Sequence, residues 1–216
     1  MERKIEMLRE SIKKNPNLTE EFKCNLGTLT DTLVTVFPDY DYTNYEKVLS
    51  TLGVYDDTSI EGYSTYNKEA NSIGINTKNI FEDRIDMQHL FLGELLQIGS
   101  GTINMPYEVE GFNRGLAEAI ASTMNIDESM KKLHPLECTC ISIFSKIIDP
   151  QVLIDSYMNG DLGNIVVFLQ SKGITEEEFR GLLNSFNEMS KNTTSNESFV
   201  NAEVSMINMY GKVIDS

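Results

Sequence analysis

The sequence predicts an α+β fold that is predominantly helical, and three observations support this prediction. Apolar residues recur every three or four positions through most of the chain, which is the period of an amphipathic helix. One stretch, residues 54–77, lacks that period and is rich in Tyr, Thr, Ser and Ile, as strands are. A chain of 216 residues, 40% of them hydrophobic, is also long enough to bury a core without disulfide bonds.

The N-terminal part, residues 1–52, predicts three helices. Pro16 and Pro38 end the first two, because proline cannot continue a helix, and the third ends near Gly53. The helices are expected over residues 2–14, 19–37 and 43–52.

The non-helical stretch that follows predicts a β-hairpin. Residues 62–66 and 72–76 alternate small, β-branched and aromatic residues and read as two strands. The polar segment 67–71 between them is typical of a turn.

The helical period returns after the hairpin and continues to the C-terminus. Glycine, proline and polar runs divide it. Helices are expected over residues 84–100, 111–126, 135–148, 150–159, 162–171, 174–190 and 197–213. We predict one domain over residues 1–191, then a linker and C-terminal helix over residues 192–216. That last helix could dock on the body or serve as a partner-binding arm, and we expect docking.

The charge of the chain restricts its partners. Lys and Arg number 18 against 33 Asp and Glu, so the net charge is −15 at pH 7. Such a field repels nucleic acid and anionic membranes, and neither is expected as a partner. Two roles for the charge stay open: solubility alone, or an acidic surface for a basic partner, including mimicry of nucleic acid.

The N-terminus and the cysteines indicate a cytoplasmic protein. Residues 1–14 are charged and amphipathic, without the apolar core of a secretion signal. The three cysteines, Cys24, Cys138 and Cys140, are an odd number, which argues against a disulfide framework. Cys138 and Cys140 are two residues apart, and we expect them to be small buried side chains.

The segment Gly93-Glu94-Leu95-Leu96-Gln97 has the spacing of the H-E-x-x-H motif of zinc proteases. In that motif two histidines on one helical face bind zinc and the glutamate activates water. Here Glu94 fills the glutamate position, but Gly93 and Gln97 fill the ligand positions. Glycine has no side chain and a neutral amide is a poor zinc ligand. By itself, a glutamate in an apolar helix is more often on its solvated face.

A second segment supports the comparison with zinc proteases. Residues 111–120, Gly-Phe-Asn-Arg-Gly-Leu-Ala-Glu-Ala-Ile, resemble the N-E-G-x-x-E helix of gluzincin peptidases. Arg114 occupies the position of the third zinc ligand of that family, and Glu118 matches its downstream glutamate. Together with the order of the segments over roughly residues 25–170, the chain resembles small gluzincin-like zinc metallopeptidases of low-GC Gram-positive bacteria.

The resemblance implies a zincin-like fold, in which a small antiparallel sheet or hairpin packs on a helical bundle. Residues 84–126 would hold the relict active-site helices. An exposed edge strand marked by Ile73 and Ile75 would precede them and could pair with an extended peptide. Because all three ligands of the family are replaced, no metal and no cofactor are expected.

The resemblance also implies a function. We expect a catalytically inactive, metallopeptidase-like protein that binds a protein or peptide in the relict cleft. The guanidinium of Arg114 could pair with Glu94 and replace the charge of the metal, or it could face solvent. His89, one turn before Gly93, is expected to be a packed or surface residue. The alternatives are an acidic helical interaction or inhibitor protein and a hydrolase with a rebuilt metal site.

Overall fold

Three helices open the chain at the positions that the sequence predicts: α1 (Glu2–Lys14), α2 (Glu20–Val36) and α3 (Thr43–Leu49). This computed structural model describes residues 1–99, 109–124, 133–191 and 196–215. The end of α1 is tied to the end of α3 by the buried side chain of Asn15, which donates hydrogen bonds to the carbonyl oxygens of Leu49 and Leu52 at 2.8 and 2.9 Å. These bonds satisfy carbonyls that a helix end leaves without intrahelical partners.

The sheet has three strands, β1 (Gly53–Asp56), β2 (Ser64–Asn67) and β3 (Ser72–Ile75), in the order β1-β3-β2. β2 and β3 pair antiparallel, which confirms the hairpin. β1 was not predicted, and it pairs parallel to β3, so the sheet is mixed rather than antiparallel. β1 has only four residues, two of them exposed, so its sequence shows no alternation long enough to indicate a strand.

Two helices follow the sheet where one was predicted. α4 (Thr77–Asp83) precedes α5 (Met87–Gly99). The side chain of Asn76 caps α4 by accepting a hydrogen bond from the backbone N–H of Asn79 at 3.1 Å. Arg84 then ends α4 in the left-handed conformation, with φ of 56°. The predicted start of a single helix at residue 84 is therefore wrong.

Six helices occupy the rest of the described chain, and all were expected, with ends that differ by up to four residues. They are α6 (Glu110–Thr123), α7 (Pro135–Phe144), α8 (Pro150–Asn159), α9 (Gly163–Ser171), α10 (Glu176–Lys191) and α11 (Asn196–Asp215). None of the helices within the described ranges is both long enough and apolar enough to cross a membrane.

The chain forms two compact units. The first unit contains Met1–Gly99 and Ala121–Lys131, and the second contains Ser100–Ile120 and Lys132–Ser216. The single domain over residues 1–191 stays a prediction, and the predicted linker at residues 192–195 lies outside the described residues. One boundary falls inside α6, where no linker composition marks it. α11 belongs to the second unit and packs against α7 and α10, which confirms that it docks.

Four phenylalanines form the centre of the second unit. Phe112 contacts Phe144, Phe179 and Phe186 edge to face, with ring centroids 5.9, 6.2 and 5.3 Å apart. Edge-to-face contact suits the quadrupoles of aromatic rings and adds stability beyond area burial. These contacts hold α6, α7 and α10 to one another and so fix the position of Arg114 on α6.

Glu178 belongs to the capping box at the start of α10 and also binds Lys212 of α11, and these bonds predict a pH-dependent contribution to stability. The carboxylate of Glu178 accepts hydrogen bonds from the backbone N–H of Thr175 at 2.8 Å and from the ammonium of Lys212 on α11 at 2.6 and 2.8 Å. These bonds, with Lys212 the largest cause, lower the pKa of Glu178 to about 2. The stabilisation is therefore present above the ordinary pKa of 4.5 and is lost as pH falls through about 2.

We expect Glu178→Gln to lower the free energy of unfolding at pH 7 by about 0.5–1 kcal/mol, because this part-exposed pair is screened by solvent. The difference from the unchanged protein should shrink between pH 4.5 and about 2. Urea denaturation at several pH values measures it. Glu177→Gln, which removes an equal charge from an exposed position on the same turn, is the control. If both variants lowered the free energy of unfolding equally at pH 7, the stabilisation could not be assigned to the hydrogen bonds of Glu178.

Candidate functional site

The motif glutamate lies on α5 inside the first unit. Glu94 is 7% exposed, between the fully buried Leu92 and Leu95. Its carboxylate accepts a hydrogen bond of 2.5 Å from the hydroxyl of Ser64 on β2. A buried carboxylate needs such a partner, because removing it from water is costly. Glu94 is therefore not on the solvated face, which is where a glutamate in an apolar helix usually lies.

The two residues that were compared with zinc ligands, Gly93 and Gln97, lie on α5 at α-helical spacing. Gly93 and Gln97 are half-buried. A Cβ atom built on Gly93 would have no neighbour within 4 Å, so this position has room for a side chain. His89, one turn earlier, is 5% exposed, and its backbone N–H donates to Asp86 at 2.8 Å. His89 is thus a packed histidine, which is one of the two placements expected from the sequence.

The residues of the second motif lie on α6 in the second unit. Arg114 donates a hydrogen bond to the carboxylate of Glu110, one turn earlier on the helix, and its side chain is 33% exposed. Glu118 is buried, at 4% exposure. Because Glu94 belongs to the first unit and Arg114 to the second, their pairing stays a prediction.

A cavity of about 110 Å³ lies beside Arg114. Its lining residues are Glu110, Gly111, Arg114, Asn187, Ser190 and Lys191. Both cations of the lining contact carboxylates, since Arg114 pairs with Glu110 and Lys191 pairs with Glu188 at 3.1 Å. The cavity can hold a small polar group, but its positive charge is already largely neutralised.

The two glycines of the second motif have a packing role. A Cβ atom on Gly111 would lie 2.2 Å from the backbone oxygen of Phe186 on α10. On Gly115 it would lie 2.9 Å from the backbone oxygen of Glu137 on α7. Such distances are shorter than van der Waals contact, so α6 approaches both neighbouring helices as closely as glycine allows. Packing is thus sufficient to explain this part of the resemblance.

The prediction of an edge strand at Ile73 and Ile75 is wrong. Both residues lie on β3, which is the central strand and pairs with β1 on one side and β2 on the other. They are 0% and 4% exposed. Apolar residues in a strand indicate burial, and a central strand is the most buried one in a sheet. The edges of the described sheet are β1 and β2.

The outer edge of β2 presents backbone groups beside Glu94. The backbone N–H of Asn76 donates to the carbonyl of Tyr63 at 2.8 Å, which sets the alternation of the ladder. The backbone groups of Ser64 and Tyr66 consequently point away from β3. β2 packs on α5, and the hydroxyl of Ser64 connects the two elements. The edge strand beside α5 is therefore β2.

The described residues offer neither a metal site nor a reactive buried thiol. Across the described ranges, no three His, Cys, Asp or Glu side chains come close enough together to hold a metal ion. Cys138 and Cys140 are buried, as expected, and burial raises the pKa of Cys140 to about 12. A thiol with so high a pKa is not a nucleophile at neutral pH. Cys24 is exposed.

No protein-family model, curated protein or solved structure matches this chain. The resemblance to gluzincin-like peptidases therefore stays a prediction, carried by Glu94 and the residues around it.

Sequence reasoning missed Ser64, the hydrogen-bond partner of Glu94. A signal for it exists in β2, where Ser64 and Tyr66 are half-buried while Thr65 and Asn67 are exposed. A hydroxyl on the inward side of a strand needs a polar partner, and α5 offers a single acid. The pattern becomes informative only when the pairing of strand and helix is known.

Proposed function

We propose that this protein is a metallopeptidase-like protein without a catalytic metal site that binds an extended peptide or protein segment. The segment would lie along the outer edge of β2, next to α5. The observation that carries the proposal is the hydrogen bond between Ser64 and Glu94, because it connects the relict motif to an edge strand.

The backbone of β2 supplies the recognition. An extended segment that adds to a sheet edge forms main-chain hydrogen bonds, and side-chain contacts then provide specificity. Ser64 and Tyr66 would offer the outward N–H and C=O groups. Among the described residues no strand pairs with this edge.

Losing the metal is compatible with such a role. In a zincin the edge strand pairs with the substrate and a zinc-bound water cleaves it, so a chain with Gly93 and Gln97 in the ligand positions could retain binding without cleavage. Metal analysis of protein purified without chelator tests this part. A stoichiometric amount of zinc would instead support the alternative, a hydrolase with a rebuilt site.

Selection from a library of displayed random peptides, followed by affinity measurement on the enriched peptides, tests the binding. We expect Tyr66→Pro to lower the affinity at least about tenfold, because proline removes an outward N–H from β2. Val54→Pro is the matched control. The backbone N–H of Val54 also points away from β3, but on the opposite edge of the sheet, so this substitution should leave the affinity unchanged. Tyr66→Phe controls for the loss of the hydrogen bond from the Tyr66 hydroxyl to Asn71.

Two outcomes would contradict the proposal. Peptides that bind equally well to the protein and to Tyr66→Pro would not be using the edge of β2. Enrichment restricted to basic peptides, with affinity that falls steeply as salt is added, would favour the acidic-surface alternative.

A further inference from the structure

α11 is apolar on two sides, and only one of them faces the second unit. Ala202, Met206 and Met209 are buried, in a helix that packs against α7 and α10. A helix on the surface of a domain usually has a single apolar stripe, with polar residues opposite.

The second apolar side, here called the outer stripe, is exposed. It consists of Val200, Val204, Ile207, Tyr210 and Ile214, which are between 45% and 63% exposed. Successive members are three or four residues apart, so they lie along one side of the helix over its whole length. A contiguous apolar surface of this kind marks an interaction site more often than scattered apolar residues do.

The outer stripe is held in place, because α11 is anchored independently of it. The ammonium of Lys212 binds Glu178 and the carbonyl of Gly173, the latter at 3.2 Å. The buried methionines occupy the opposite side of the helix. The outer stripe therefore stays on the surface of the second unit, because the opposite side of α11 already packs against that unit.

We propose that the outer stripe of α11 is the interface through which two copies of this chain associate about a two-fold axis near Ile207. A two-fold interface places the same patch of both copies in contact. The stripe suits this arrangement, because Val200 and Ile214 lie seven residues before and after Ile207. Turning a second copy about Ile207 therefore brings apolar residues against apolar residues along the whole stripe.

Symmetry and area favour a second copy as the occupant. No side chain of the outer stripe is charged at neutral pH, so the stripe itself carries no charge that would select a basic or an acidic partner. Asn201 and Asn208 lie beside the stripe with neutral amides, and Glu203, between Val200 and Ile207, is half-buried. Burying the stripe on both copies removes about 1,000 Å² of surface, the size at which specific interfaces begin.

Sedimentation equilibrium over a range of protein concentrations tests the proposal. We expect the mass to rise from 24.4 kDa toward twice that value, with a dissociation constant in the micromolar range. Added salt should strengthen the dimer, because it screens the repulsion between two negatively charged copies. Ile207→Asp should weaken the dimer at least about tenfold, since it buries a charge on both copies.

Val167→Asp is the matched control, because Val167 is 66% exposed on α9 of the same unit. We expect it to leave the dimer unchanged. A second measurement does not depend on disruption: Ile207→Cys in a Cys24→Ser background should give a covalent dimer with a short bis-maleimide, and Val167→Cys in that background should not.

The proposal is overturned if the protein stays monomeric up to about 1 mM, far above the expected dissociation constant. It is also overturned if Val167→Asp weakens association as much as Ile207→Asp does.

Discussion

Gly111→Ala is expected to destabilise the second unit by about 3 kcal/mol or more, the upper range for inserting a methyl group into a filled core. The added Cβ would lie 2.2 Å from the backbone oxygen of Phe186. Backbone atoms of α10 cannot move aside as a flexible side chain would, so α6 and α10 must separate. The backbone N–H of Gly111 also donates to the side chain of Asn187 at 2.9 Å, and separation would stretch that bond. Urea denaturation measures the loss.

Gly181→Ala is the control for Gly111→Ala. Gly181 lies on α10, and a Cβ there has no neighbour within 4 Å. Alanine is the better helix former by about 1 kcal/mol, so Gly181→Ala should stabilise the protein slightly. The two substitutions are chemically identical and should act in opposite directions. A Gly111→Ala protein as stable as Gly181→Ala would show that the close approach of α6 to α10 is incorrect.

The triple variant Gly93→His, Gln97→His and Arg114→Glu is expected to bind one zinc ion with a dissociation constant of about 1 μM or lower, while the unchanged protein binds none. Histidines four residues apart on α5 share one helical face, and the resemblance to gluzincins assigns the third ligand to position 114. Gly93 has room for the first histidine, since a Cβ there meets nothing within 4 Å. Isothermal titration with zinc measures the affinity.

A comparison with the double variant tests whether position 114 supplies the third ligand. The double variant Gly93→His and Gln97→His should bind zinc at least about tenfold more weakly than the triple variant. Adding Ser122→Glu to the double variant places a carboxylate at an exposed position of the same helix and should not restore affinity. A folded triple variant that binds no better than the double variant would show that Gln97 and Arg114 do not occupy corresponding ligand positions, and the family resemblance would fail with it.

Helices were predictable because their signals are local. The period of the apolar residues and the capping residues lie within a few positions of the backbone groups that they affect, as at Thr19 and Asp149, whose side chains accept hydrogen bonds from the first turns of α2 and α8. The hairpin of β2 and β3 was predictable for the same reason, since its strands are joined by a short turn. β1 was missed because its pairing with β3 joins residues far apart along the chain.

The sequence by itself determined that this chain is mostly helical and acidic, where most of its helices lie, and that Gly93, Glu94 and Gln97 have the spacing of a zinc-protease motif without its histidines. The tertiary structure alone decided that Ile73 and Ile75 lie on a central strand, that Ser64 is the partner of Glu94, and that Gly111 contacts the backbone of α10. The physical reason is the separation along the chain over which each kind of interaction acts. Propensity and periodicity act between neighbours, whereas strand order, buried hydrogen bonds and close helix contacts depend on residues that only folding brings together.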